Sequence, residues 1–252
     1  MKKQIKMSSY LPGVLTPEMR RFFHDWCEEN LDRLQKRDKE YDKVKPVMEV
    51  LAKNNWVFSY FSVSDIEQLI DKDDSEILEY ARNYFTADNY SNFFDIFASV
   101  KSYFEKLPED KGYLELLIMI EDLLKQDFKY YKVLISTIMS IIEYKFIQKT
   151  GRLNTGKIAK CSNIKNSADR IVKSENTNLE SILNKSDFKV LIHFYEGGEF
   201  GKGINGSKFG RHSIQHGRYN PERLEETDMI KSVLLLLAIC ESDEINSNNF
   251  ES

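Results

Sequence analysis

Hydrophobic positions recur along most of this chain at three- and four-residue intervals, the spacing that gathers them on one face of a helix. Val47, Val50 and Leu51 follow Pro46 in this way, and Asn54-Asn55 breaks the run. Ser64-Asp65 starts another helix carrying Ile66, Leu69 and Ile70, and aromatic-rich helices are predicted through Tyr80 to Phe104. Leu114 to Lys125 and Tyr130 to Gln148 follow. In the second of these, Tyr131, Leu134, Ile135, Ile138, Met139, Ile142 and Phe146 keep helical spacing, while Ile141 and Ile147 widen the apolar surface nearly all round. A helix of that kind is central to a bundle or buried in a subunit interface. Leu179 to Tyr195 and Thr227 to Cys240 complete the series. Upstream, Thr16-Pro17-Glu18 offers an N-cap with proline at the first helical position and opens a charged amphipathic stretch to about Lys43. No run alternates with the two-residue period of a strand, so the predicted fold class is all-α.

Punctuation between these helices is sparse and comes late. Pro108-Glu109-Asp110-Lys111-Gly112 is the predicted boundary between an N-terminal helical region, residues 1–110, and a second domain, residues 111–252. From Lys149 to Asn178 the pattern collapses into Gly, Asn, Ser, Thr and Lys. Between 145 and 173 stand Lys145, Lys149, Arg152, Lys157, Lys160, Lys165, Arg170 and Lys173 against Asp169 alone, eight positive minus one negative, a local +7. Such a cluster is either a solvated loop or a contact for a phosphate backbone, which it would attract electrostatically.

Composition narrows the class. With 252 residues, 41% hydrophobic and 30% charged, the chain has length and apolar content for a soluble globular core. A net charge of -4 excludes a protein that coats nucleic acid or membrane by bulk charge, though not one with a local basic site. Cys27, Cys161 and Cys240 are odd in number and widely spaced, which gives neither a disulfide framework nor a metal pair and points to a reducing compartment. No apolar stretch follows the basic start, so no signal peptide is expected. The longest apolar run, Val233 to Cys240, is too short for a bilayer. A cytoplasmic protein without membrane contact is expected.

Candidate chemistry concentrates in the last fifty residues. Gly201-Lys202-Gly203-Ile204-Asn205-Gly206 matches a dinucleotide fingerprint, but that turn must open a helix inside a βαβ unit, and Ser207-Lys208-Phe209-Gly210 is a poor helix start. The glycines are better read as freeing the backbone ahead of the next segment. His24 and His193 lie in amphipathic or apolar surroundings and read as structural. The histidines form no HExxH and have no carboxylate or cysteine at zinc spacing, so neither metal nor cofactor is called for. Arg211-His212-Ser213-Ile214-Gln215-His216-Gly217-Arg218 is different. A guanidinium suits phosphate oxygens, and imidazole moves protons near neutral pH. His216 lies five positions after Arg211, about 140° around a helix axis, so the two would flank a groove. Gly217 would remove bulk behind the histidine. The alternative is a pair of histidines that merely cap or fill a loop.

The same segment resembles the motif of the HEPN ribonucleases, particularly the Apea-like branch of bacterial defence and abortive-infection systems: arginine, a polar residue, three further residues, then histidine and often glycine. Arg211, His212, His216 and Gly217 stand at those places. Asn54-Asn55-Trp56-Val57 is similar to the family's early tryptophan turn, Leu116 to Phe146 to its central helix with an inward acid, and Met229 to Ile239 to the apolar helix after the motif. Two features depart from the pattern: Gly210 stands where relatives often have asparagine, and the basic loop has no counterpart. The resemblance implies a HEPN-type bundle that forms a homodimer with a composite active site and cleaves RNA without metal or cofactor. It implies His216 as general base or acid for attack by the ribose 2′-hydroxyl, Arg211 stabilising the phosphoryl oxygens, and His212 supporting them. Arg218, Lys157, Lys160 and Lys165 are the expected RNA contacts, and an antitoxin or defence-system partner is the expected regulator. A carboxylate such as Glu143 within an apolar helix needs a partner. Arg211 would satisfy it and be positioned by it; a salt bridge elsewhere or an exposed helix edge is the alternative. A HEPN-like binding or regulatory module without nuclease activity is the competing reading of the whole chain.

Overall fold

The computed structural model describes residues 43–61, 63–153, 166, 169, 179–196, 208–243 and 245. The Thr16–Lys43 stretch up to residue 42, His24, Cys27, Cys161, Lys157, Lys160, Lys165 and the Gly201–Gly206 run lie outside the described residues. The helices, the core and the candidate sites belong to the compact unit Pro46–Ser252.

Eight helices can be followed among the described residues of this unit: α1 (46–53), α2 (Val63–Glu67), α3 (Asp74–Phe104), α4 (Lys111–Gln126), α5 (Tyr131–Lys149), α6 (Leu179–Tyr195), α7 (Arg211–Gln215) and α8 (Glu226–Glu241). No strand occurs among the described residues, and the fold is all-α. No described helix is long and apolar enough to cross a membrane.

Local chemistry sets the helix ends. Asn55 takes a left-handed φ of 66° after α1, and its neighbour Trp56 turns inward to stack on Phe85 at 5.8 Å. At the start of α3, the Asp73 carboxylate accepts from the Glu76 amide while Glu76 reaches back to the Asp73 amide, a reciprocal cap that satisfies two orphan donors. The long α3 is two helices joined at Ala87–Tyr90, where Asp88, Asn89 and Tyr90 all have positive φ. A bulky residue in that region is unusual. Tyr90 is held there by stacking on Phe128 at 3.8 Å and by donating to Glu226 at 2.7 Å.

The core centres on α8. Met229, Ile230 and Val233 to Leu237 are all buried, and α5 and α3 pack on this helix. α5 contributes Ile135, Ile138, Met139, Ile141, Ile142 and Phe146 to the same core. Its apolar excess is therefore buried within the chain, and its outer face is Val133, Ser136 and Ser140. Breadth of apolar surface on this helix does not by itself call for a second subunit.

The Pro108–Asp110 turn, the expected boundary, joins α3 to α4, which pack together within the unit. Asp110 is fully buried, and its carboxylate receives Lys145 Nζ at 2.6 Å, Tyr144 Oη at 2.7 Å and Gln148 Nε2 at 2.7 Å. Lys145 also donates to Gln148 Oε1 and lies over the Phe104 ring. This buried network ties the turn to α5.

Candidate active site

The Arg-His segment is a single helical turn laid across the flank of α5. Gly210 leads into it. Its backbone is extended, with φ 168°, but a Cβ there would stand 3.1 Å from the Phe194 carbonyl oxygen at the end of α6. Close approach to α6 is thus the reason for glycine at this position. The turn ends in a Schellman cap: Arg218 N donates to Ser213 O at 2.7 Å, Gly217 N donates to Ile214 O at 3.1 Å, and Gly217 takes the left-handed φ of 63°. A Cβ on Gly217 would meet nothing within 4 Å. The left-handed backbone conformation favours glycine at this position.

Two side-chain contacts fasten this turn to α5. Arg211 donates from Nε at 2.9 Å and from Nη2 at 2.6 Å to the same oxygen of Glu143. Gln215 Nε2 donates to Ser140 Oγ at 3.1 Å. Ser140 and Glu143 are three residues apart on α5, and Arg211 and Gln215 four apart on α7, so each pair shares a face. The Arg211–Glu143 pair answers the question that an acid in an apolar helix raises. Gln215 and Ser140 were missed by sequence reasoning, because two neutral side chains at ordinary spacing carry no signal until the helices are docked.

The two imidazoles also meet. His212 and His216 lie edge to face with ring centroids 4.5 Å apart. His212 is half-buried and His216 exposed. Burial, then His216, then Arg211 push the His212 pKa below the ordinary histidine value, so its neutral form dominates at neutral pH. Arg211 keeps N–H groups beyond the two given to Glu143, since a guanidinium has five. Arg218 is exposed two residues past His216. The arrangement offers a fixed cation with spare donors and two imidazoles in contact at an accessible surface.

The basic cluster is only partly as expected. Lys145 is buried on Asp110, Arg152 is buried, and Lys149 donates to the carbonyl oxygens of Cys240 and Ser242 at the end of α8. These three cations serve the fold and are not available to a phosphate backbone. Lys157, Lys160 and Lys165 lie outside the described residues. His193 sits in the last turn of α6, with its carbonyl oxygen 3.5 Å from where a Gly210 Cβ would be. The thiol of Cys240 is buried and its pKa is pushed up to about 12, chiefly by burial, so it is inert as a nucleophile near neutral pH.

Comparisons with family models, with curated proteins and with solved structures give no match to this chain.

Proposed function

We propose that this protein is a metal-independent endoribonuclease whose reacting groups are Arg211, His212 and His216. The observation that carries the reading is the placement of a Glu143-anchored guanidinium and two touching imidazoles on one surface turn. The resemblance of this segment to the HEPN motif supports it further. In the proposed step, an imidazole accepts the proton of the ribose 2′-hydroxyl as O2′ bonds to the adjacent phosphorus. The bond from phosphorus to O5′ breaks, and O5′ takes a proton from an imidazolium. The products are a 2′,3′-cyclic phosphate and a free 5′-hydroxyl. Arg211 donates its remaining N–H groups to the phosphoryl oxygens as their charge grows. Glu143 and the Gln215–Ser140 contact are positioning elements that hold the turn and its guanidinium in place.

In-line transfer sets the attacking and leaving oxygens on opposite sides of phosphorus. Two imidazoles in mutual contact on one turn stand on the same side. A second copy of the chain, facing the first across a shared cleft, would supply the other side, so the active form is a homodimer. Defence against infection, with an inhibitory partner controlling the enzyme, is the setting that the resemblance supports.

The competing reading, a non-catalytic module, draws on the same ion pair, because Glu143 neutralises Arg211 as a purely structural partner would. One experiment separates them. Wild-type protein and the His216→Ala variant are incubated with total RNA in the presence of chelator. Cleavage by the wild type alone, with cyclic phosphate ends, is expected; equal cleavage by both, or none by either, rejects the nuclease.

A further inference from the structure

A second site lies outside the Arg-His turn. The Phe58–Tyr60 turn, the Asp187–Leu191 part of α6 and the end of α8 enclose a cavity of about 150 Å³. Leu191, Leu235 and Ile239 form its apolar wall, while Asp187, Glu241 and Ser242 supply polar groups. Ser59 Oγ donates to Asp187 Oδ2 at 2.7 Å, and Tyr60 Oη donates to Glu241 Oε2 at 3.0 Å. The other oxygen of Asp187, Oδ1, is buried and has no hydrogen-bond partner, and the same holds for Ser242 Oγ. A buried acceptor left without a donor is disfavoured, and native folds supply a partner for such atoms. Two of them on one cavity wall point to an occupant that donates.

The lining selects the occupant's chemistry. Asp187, Glu241 and Asp243 all line the space, so an anion is disfavoured. Lys149, a cation at this end of α8, gives its ammonium to the Cys240 and Ser242 carbonyls, and nearby Lys145 gives its own to Asp110 and Gln148. Among the described residues no group of His, Cys, Asp or Glu is arranged to hold a metal ion. An apolar wall also favours a carbon chain over a hydrated ion. An ammonium has three donors and a full positive charge, enough for Asp187 Oδ1 and Ser242 Oγ together. A space of this size is comparable to cavities that admit a molecule of about six heavy atoms.

We propose that this cavity is a binding site for a primary ammonium on a short alkyl stem, with Asp187 Oδ1 and Ser242 Oγ as its acceptors and Leu191, Leu235 and Ile239 against the stem. The group can come from a free aliphatic amine or from the lysine side chain of another protein. Geometry carries the assignment; burial first, with Glu241 a lesser cause, pushes the Asp187 pKa up to about 7 against the lowering effect of hydrogen bonds from Ser59 and the Phe58 backbone.

Calorimetric titration of the full chain at neutral pH tests this with n-butylamine, putrescine, N-acetyl-lysine amide and n-butanol as probes. Saturable binding of the amines is expected, with butanol and the Asp187→Asn variant each weaker by at least about tenfold. Putrescine tighter than N-acetyl-lysine amide would identify a free amine as the source; the reverse order would identify a lysine. Absence of amine binding, butanol binding as tightly as butylamine, or undiminished affinity in a folded Asp187→Asn protein would overturn the site. The butylamine–butanol comparison is made on the wild type, so it decides even if the variant does not fold.

Discussion

At the scale of single residues, the candidate active site depends on who neighbours whom. His212 is held below the ordinary histidine pKa by burial, then by His216, then by Arg211. Removing the second of these should let it rise. In the His216→Ala variant the His212 pKa is therefore expected to move up toward the unperturbed value of about 6.5. Titration of the imidazole signals by NMR reads this directly; an unchanged or lower value would mean that the two rings are not electrostatically coupled. The residues of the turn were legible in the sequence because guanidinium and imidazole are rare enough together to stand out. The reason for Gly217 was not legible. Its left-handed backbone belongs to a helix terminus that exists only once the turn has stopped after Gln215.

At the scale of elements, α5 illustrates how a correct pattern leads to two different packings. Its apolar periodicity predicted a helix that is central or at an interface, and α8 settles the matter by covering Ile135 to Phe146 from within the chain. The polar residues on α5 do the rest. Lys145 reads as part of a basic cluster, yet its ammonium is buried on Asp110. Replacing Asp110 by Asn keeps an oxygen for Tyr144 and Gln148 but leaves Lys145 without its counter-ion. A loss of about 3–5 kcal/mol is expected, the range for stranding one partner of a buried ion pair. Urea unfolding checks it, and adding Lys145→Met should recover most of the loss. A loss below about 1 kcal/mol, the range of exposed pairs, would show that Asp110 and Lys145 are solvated in solution.

At the scale of the whole unit, the Asp187 cavity joins the Phe58–Tyr60 turn, α6 and the end of α8, so its charge state bears on global stability. Asp187 titrates near 3.8 when unfolded and about 7 when folded. Between those values the folded chain binds more protons than the unfolded one, so stability from this group falls as pH rises and stays lost above about 7. Asp187→Asn cannot ionise and should escape that loss. Relative to the wild type, its melting temperature is expected to rise at about pH 8 and to rise by less than half as much at about pH 5. An equal change at both pH values would show that Asp187 does not titrate in this way.

The sequence by itself determined the helices and their order. Their 3.6-residue periodicity is a property of neighbouring positions, and so is the break at Asn54-Asn55. It also determined the chemical content of the Arg-His turn. Only the tertiary structure decided which helix is central, which cations face inward, and how the turn is held. Those outcomes depend on residues far apart in the chain: Arg211 with Glu143, Gln215 with Ser140, Lys145 with Asp110, and Gly210 with the Phe194 carbonyl. Pairing of this kind follows from docking faces against one another, and no local pattern encodes which partner a side chain will meet.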